Sequence, residues 1–159
     1  MPSILFVCTA NMFRSPIAAA ILQKEIDQQE NASDWLVNSA GTWTTNELPA
    51  PEFTRKISKR LELPDIEKHR TRQVDGNLLE NTDLIIVMEA NHKEALISEF
   101  PSIKNRVFLL TEIVKGKSID IPDPVMLLID ADNVANQIAD LISIGFDKIL
   151  DVADSISRN

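Results

Sequence analysis

Two four-residue runs with no polar side-chain atom, Ile4-Leu5-Phe6-Val7 and Leu84-Ile85-Ile86-Val87, constrain the fold more than anything else in the sequence. A strand with one wet face alternates apolar and polar residues. An unbroken run instead predicts a strand buried on both faces, which is the habit of parallel sheets covered by helices. Further strands are expected at Trp35-Leu36-Val37 and at Val107-Phe108-Leu109-Leu110. Helical spacing fills the intervals: Ile17, Ile21, Leu22 and Ile26 share one face, and helices are expected from Thr54 to Leu61 and from about Asn91 to Phe100. A long C-terminal helix carries Val134, Ile138, Leu141, Gly145, Ile149, Val152 and Ile156, with Gly145 expected to weaken or bend its middle. Strand and helix alternate throughout, so the class is α/β with a parallel sheet. No repeat, low-complexity stretch or linker interrupts residues 1–159, so a single domain is expected.

Composition narrows the class of function. A net charge of −8 argues against nucleic acid as partner, because no basic excess is present to neutralise a phosphate backbone. It does not argue against a site for one phosphate group, which a few local donors can hold. The single cysteine excludes an internal disulfide, and with only two histidines no metal site or other cofactor is expected. A strand-like run beginning at Ser3 leaves no room for a signal peptide, and no apolar stretch is long enough for a membrane span. A cytoplasmic protein with no membrane partner is the expectation.

In open α/β sheets ligands bind beyond the carboxyl ends of the strands. The loop after the first strand reads Cys8-Thr9-Ala10-Asn11-Met12-Phe13-Arg14-Ser15, followed by Pro16. A loop running into a helix start offers successive backbone N–H groups and the positive end of the helix dipole to an anion. Arg14 can add two parallel hydrogen bonds to phosphate oxygens, which lysine cannot. Residues 9–15 are therefore the expected phosphate cradle, and their positive field favours Cys8 as a thiolate nucleophile. Ser15 is expected to cap the helix, with Pro16 at its first position, and to hydrogen-bond the thiolate. The loop has no glycine, so Asn11 is the expected site of positive φ and an internal brace.

At these residues the sequence resembles the low-molecular-weight protein tyrosine phosphatases, whose signature is Cys-x-x-Asn-x-x-Arg-Ser-Pro. Asn38-Ser39-Ala40-Gly41-Thr42, His69-Arg70-Thr71-Arg72-Gln73 and Ile121-Pro122-Asp123-Pro124 resemble three further family segments, in the family's order. The resemblance implies a four-stranded parallel sheet with helices on both faces. It implies Cys8 as nucleophile, Arg14 as phosphate clamp, Asp123 as general acid, and Asn11, Ser39 and His69 as loop support. The implied substrate is a phosphotyrosine protein or a small aryl phosphate. Four positions depart from the family's habit: Ala10 for glycine, Phe13 for a second cysteine, Val125 for an aromatic at the mouth, and Met12 where a phosphoarginine-specific branch has threonine. Trp43 and Val125 are the expected substrate wall, with Trp43 supplying the aromatic surface that Val125 lacks.

Asp120 competes with Asp123 for the acid. The prolines on both sides of Asp123 restrict its backbone, whereas Asp120 reads as a solvated loop residue. His92, next to Lys93 and Glu94, reads as exposed. Two alternative functions remain open: an arsenate reductase-like enzyme, which a lone Cys8 could not serve by an internal disulfide relay, and an inactive phosphoprotein-binding module.

Overall fold

Alternate side chains of the first strand, β1 (Ser3–Cys8), feed two separate cores, so every residue of it is buried. On one face Ile4, Phe6 and Cys8 pack with α1 (Arg14–Ile26), α5 (Leu110–Lys115) and the long α6 (Ala131–Ser157). On the other, Leu5 and Val7 join Leu78 and Leu79 of α3 (Gly76–Glu80) and Leu96 of α4 (Ala90–Glu99). β3 (Leu84–Val87) divides its side chains in the same way, and both runs are unbroken for that reason. The computed structural model describes every residue except Asp65 and Leu128.

The sheet is wholly parallel, in the order β2-β1-β3-β4, with β2 at Leu36–Gly41 and β4 at Val107–Leu109. After β1 the chain crosses to β2 on one side and later to β3 on the other. Connections therefore diverge at the carboxyl end of β1, which opens a crevice there. The remaining helix, α2 (Glu52–Arg60), adds Ile57 to the first core.

Four expectations need correction. β2 is longer than its apolar triplet because it is an edge strand with half-exposed residues, so Asn38 and Ser39 fit it without an apolar signal. Leu110 belongs to α5 and not to β4. α1 starts at Arg14 with Phe13 at its N-cap and no side-chain cap, which leaves Ser15 inside the first turn and Pro16 after it. Proline is tolerated there because first-turn amides have no intrahelical acceptor. α6 runs unbroken through Gly145. A Cβ at that position would lie 2.4 Å from Val114 Cγ2, so the glycine serves close packing of α5 on α6 and not a bend.

Candidate active site

The loop from Cys8 to Arg14 fills the crevice at the end of β1. Asn11 has φ +56°, the turn that curls the loop without a glycine. The backbone N–H groups of residues 9–13 donate to no acceptor among the described residues, which leaves them for an anion. Below the loop, Asn11 is fully buried and spends its amide as a brace. Its Nδ2 donates to Ser15 Oγ and to Ser39 Oγ, both at 2.9 Å, and its Oδ1 accepts from the Arg72 amide at 2.9 Å. His69 Nε2 donates to the Asn11 carbonyl at 2.8 Å. Ser15 Oγ, already accepting from Asn11, lies 3.0 Å from Cys8 Sγ and 3.3 Å from the Ala40 carbonyl, two acceptors within reach of its one proton. That contact explains why Ser15 is not a cap: its hydroxyl is turned inward to the sulfur.

Arg14 is 3% exposed. Its Nη1 donates to Glu89 Oε2 at 2.8 Å and to the Ile121 carbonyl at 2.9 Å. These bonds occupy one edge of the guanidinium and present the other, Nε and Nη2, for a bidentate anion. Nη2 lies 3.6 Å from Asp123 Oδ2. Asp123 Oδ1 accepts from the Val125 amide at 2.9 Å, so one carboxylate oxygen shapes the loop while the other faces the guanidinium. Cys8, Thr9, Ala10, Met12, Phe13 and Arg14 line one cavity together with Glu89, Asp123, Val125 and Phe53. Buried thiol, arginine fork and carboxylate thus open onto a single space sized for a phosphate ester.

A family model described as low molecular weight phosphotyrosine protein phosphatase matches residues 3–158. The chain belongs to that family. It is a cysteine-dependent phosphatase by that membership, with Cys8 in the expected position. Among curated relatives it is 32% identical over 122 residues to a protein-arginine-phosphatase of Geobacillus stearothermophilus, covering 76% of this chain and 77% of that one. It is 33% identical over 122 residues to a probable low molecular weight protein-tyrosine-phosphatase, EpsP, of Ralstonia nicotianae, covering 77% of each. The solved YwlE arginine phosphatase of Geobacillus stearothermophilus superposes with a TM-score of 0.83 at 27% identity, covering 94% of both chains.

In this phosphatase the other sequence-derived residues fall in two groups. Asn11, Ser39 and His69 meet beneath the loop, as do the side chains of Asn11 and Ser15, so those two can offer an anion only their backbone. Trp43 does not line the cavity. Its side chain is 82% exposed, and only its amide approaches, donating to the Thr9 carbonyl at 3.0 Å. The apolar wall consists instead of Met12, Phe53, Pro51 and the exposed Val125-Met126-Leu127 edge, with Phe13 stacked on Phe53 at 5.4 Å between centroids.

Three polar residues near the site take parts that the sequence reading did not assign to them. Glu89 anchors Arg14. Asp120 is not merely solvated, because its Oδ1 accepts from the Ala90 amide at 2.8 Å and ties the loop that leads to Asp123 to the start of α4. His92 is 3% exposed and not a surface residue, with Nε2 at 2.9 Å from Thr9 Oγ1. The Met88-Glu89-Ala90-Asn91-His92 segment following a buried strand was the available hint.

Both histidines are held neutral. Burial lowers the pKa of His69, with Arg70 adding to this and the bond to Asn11 opposing it. Burial and then Arg14 push His92 down to about 4, against the pull of Glu89, Asp120 and Asp123. In the unfolded chain a histidine titrates near 6.5. Between that value and about 4 the unfolded state binds more protons, so stability is full above pH 6.5 and is lost as pH falls. His92 contributes a loss on the order of 3 kcal/mol across the window. The melting temperature should fall from pH 7 to pH 4.5, and His92→Gln should flatten that dependence. An unchanged pH slope in the variant would remove His92 from the account.

Gly41 closes β2 directly under the loop. A Cβ there would lie 2.6 Å from the Thr9 carbonyl oxygen and 3.1 Å from Asn11 Cβ. The strand cannot retreat, because the Gly41 amide and carbonyl are bonded to Arg72 and Val74. Gly41→Ala should therefore displace the cradle, destabilise the fold by about 1–3 kcal/mol and weaken competitive inhibition by phosphate at least tenfold. Normal phosphate inhibition in a folded Gly41→Ala protein would show that the loop tolerates the methyl group.

Proposed function

We propose that the chain hydrolyses aryl phosphomonoesters, in particular phosphotyrosine in a protein, through a phosphocysteine intermediate on Cys8. The observation that carries this reading is the convergence of Cys8 Sγ, the open edge of Arg14 and Asp123 Oδ2 on one cavity. The loop amides and Arg14 hold the phosphoryl oxygens, and the Cys8 thiolate attacks phosphorus opposite the ester oxygen. As the S–P bond forms and the P–O bond breaks, Asp123 gives its proton to the departing phenolate. Water then attacks the phosphocysteine, Asp123 takes its proton, the S–P bond breaks, and inorganic phosphate leaves with the thiolate restored. No metal or organic cofactor enters either step.

Met12, Phe53 and Val125 suit the faces of an aryl ring, which favours a phenolic ester. Phosphoarginine is the second reading. Two carboxylates, Glu89 and Asp123, reach the same cavity and would meet a guanidinium, and similar proteins carry the arginine phosphatase name. Arsenate reduction is less well supported, since Cys8 has no second cysteine with which to pass on a disulfide. Among the described residues no helix is long and apolar enough to cross a membrane, and a cytoplasmic phosphoprotein substrate fits this reading.

Turnover of p-nitrophenyl phosphate, a phosphotyrosyl peptide and a phosphoarginyl peptide by pure protein in chelator tests the assignment. The expected order is phosphotyrosine well above phosphoarginine, with no loss in chelator. A reversed order selects the second reading, and no turnover of any of the three overturns both.

A further inference from the structure

The first turn of α4 spans the two ends of the phosphate cradle. Glu89, its N-cap residue, takes Arg14 Nη1 on Oε2 at 2.8 Å. One turn on, His92 Nε2 stands 2.9 Å from Thr9 Oγ1 and 3.3 Å from that same Glu89 oxygen. Thr9 opens the loop and Arg14 closes it, so a chain of contacts runs Thr9, His92, Glu89, Arg14 across the site. Asp120 holds the turn from outside through the Ala90 amide.

We propose that His92 is a positioning residue of the phosphate cradle, whose neutral ring donates from Nε2 to Thr9 Oγ1 and packs that contact against Glu89. The tautomer follows from the contacts. Nδ1 has no hydrogen-bond partner among the described residues, and a proton there would be an unsatisfied buried donor. A proton on Nε2 instead faces a carboxylate and a hydroxyl oxygen, both able to accept. The groups that face the ring are Arg14, Glu89, Asp120 and Asp123, and burial with Arg14 keeps it neutral.

Two consequences bear on the anion. Thr9 Oγ1 accepts from His92, so its own proton is available to donate, and Thr9 lines the cavity. Glu89 Oε2 accepts from Arg14 Nη1 and lies 3.3 Å from His92 Nε2, so the carboxylate that sets the roll of the Arg14 fork rests against the ring. Without the Nε2 donor, Glu89 can turn and Thr9 can rotate, and both ends of the cradle lose their reference. The expected loss is in ground-state anion binding more than in the chemical step.

The inference rests on the phosphatase reading only for the identity of the anion, and inorganic phosphate is the probe. Dissociation constants for phosphate, measured by calorimetry, need no turnover and so test His92 even if the proposed substrate is wrong. His92→Phe keeps a ring of similar size without the donor. It should weaken phosphate binding about tenfold and raise KM for p-nitrophenyl phosphate in parallel, with kcat changing by less than threefold. His92→Gln places an amide N–H near the Nε2 position and should restore most of the affinity. Thr9→Val should weaken phosphate binding as well, and the two losses should not add in the double variant. Leu96→Ala, a buried change on the same helix away from the loop, controls for general loosening: it should lower the melting temperature and leave phosphate affinity intact.

Wild-type phosphate affinity in His92→Phe, a glutamine variant no better than phenylalanine, or an equal loss in Leu96→Ala would each overturn the positioning role. Should His92→Phe fail to fold, His92→Gln alone remains decisive through the 15N shifts of the wild-type ring. A protonated Nε2 and bare Nδ1 at pH 7, with glutamine retaining affinity, support the proposal. The opposite tautomer defeats it. A wild-type protein that binds phosphate and turns over no ester would defeat the proposed function and leave this inference standing.

Discussion

Cys8→Ser should reduce turnover by on the order of 10⁴-fold or more while inorganic phosphate still binds. The sulfur sits at the floor of the cradle with the Ser15 hydroxyl at 3.0 Å, a contact suited to stabilising a thiolate. A serine hydroxyl in that place stays protonated and is a poor nucleophile. The anion's other partners, the loop amides and the free edge of Arg14, are untouched by the change. Single-turnover rates with p-nitrophenyl phosphate and calorimetry with phosphate read the two effects separately. A variant that keeps a tenth of the wild-type rate would require another nucleophile.

Asp123→Asn has the second largest expected effect, and it depends on the substrate. For a phenolate leaving group of pKa about 10, the loss should be about 10²- to 10⁴-fold, shrinking toward none as the leaving group becomes more acidic. The reason lies in how the carboxylate is shared. Oδ1 is bound to the Val125 amide, and asparagine keeps an oxygen for that bond, so the loop should hold its shape. Oδ2, the oxygen facing Arg14, is the proposed proton donor, and an amide there cannot supply a proton. Asp120→Asn is the matched control. Its oxygen can still accept from Ala90, so the expected change is small and independent of the leaving group. Rates for a series of aryl phosphates plotted against leaving-group pKa decide the matter. Parallel lines for wild type and Asp123→Asn, or a steeper line for Asp120→Asn, would place the acid elsewhere.

What the sequence made legible was whatever is decided locally. The buried strands announced themselves because both faces of β1 and β3 meet a core, so no polar residue interrupts them. The segment from Cys8 to Ser15 is legible for the same kind of reason: the proposed nucleophile and clamp lie with the turn residue in one loop, and Asn11 is the residue that backbone sterics would choose for its positive φ. Ser15 was misread as a cap because two local uses compete for its hydroxyl, and only the position of the sulfur decides between them. Gly145 was misread because helix propensity sees the missing side chain but not Val114 on another helix. The contacts of Glu89, Asp120 and His92 were illegible, since each acts on a partner brought near by the sheet; the sequence offers Asp120 only as a rival acid. Trp43 was expected at the mouth on resemblance, yet its side chain points to solvent.

The cradle's supports come from far along the chain, and this has a kinetic consequence. Thr9 meets His92 across a separation of 83 residues, Asn11 meets His69 across 58, and Arg14 meets the Ile121 carbonyl across 107. Contacts of such high order form late, after the loop-closure entropy of the intervening segments has been overcome. No fragment that ends before the acid loop can therefore own a working cradle, however native its helices. During refolding, helical signal should return before phosphate affinity, and phosphate affinity should return together with the last tertiary packing. For a chain emerging from the ribosome, the loop that reads as complete by its fifteenth residue stays chemically mute until more than a hundred others have been laid down.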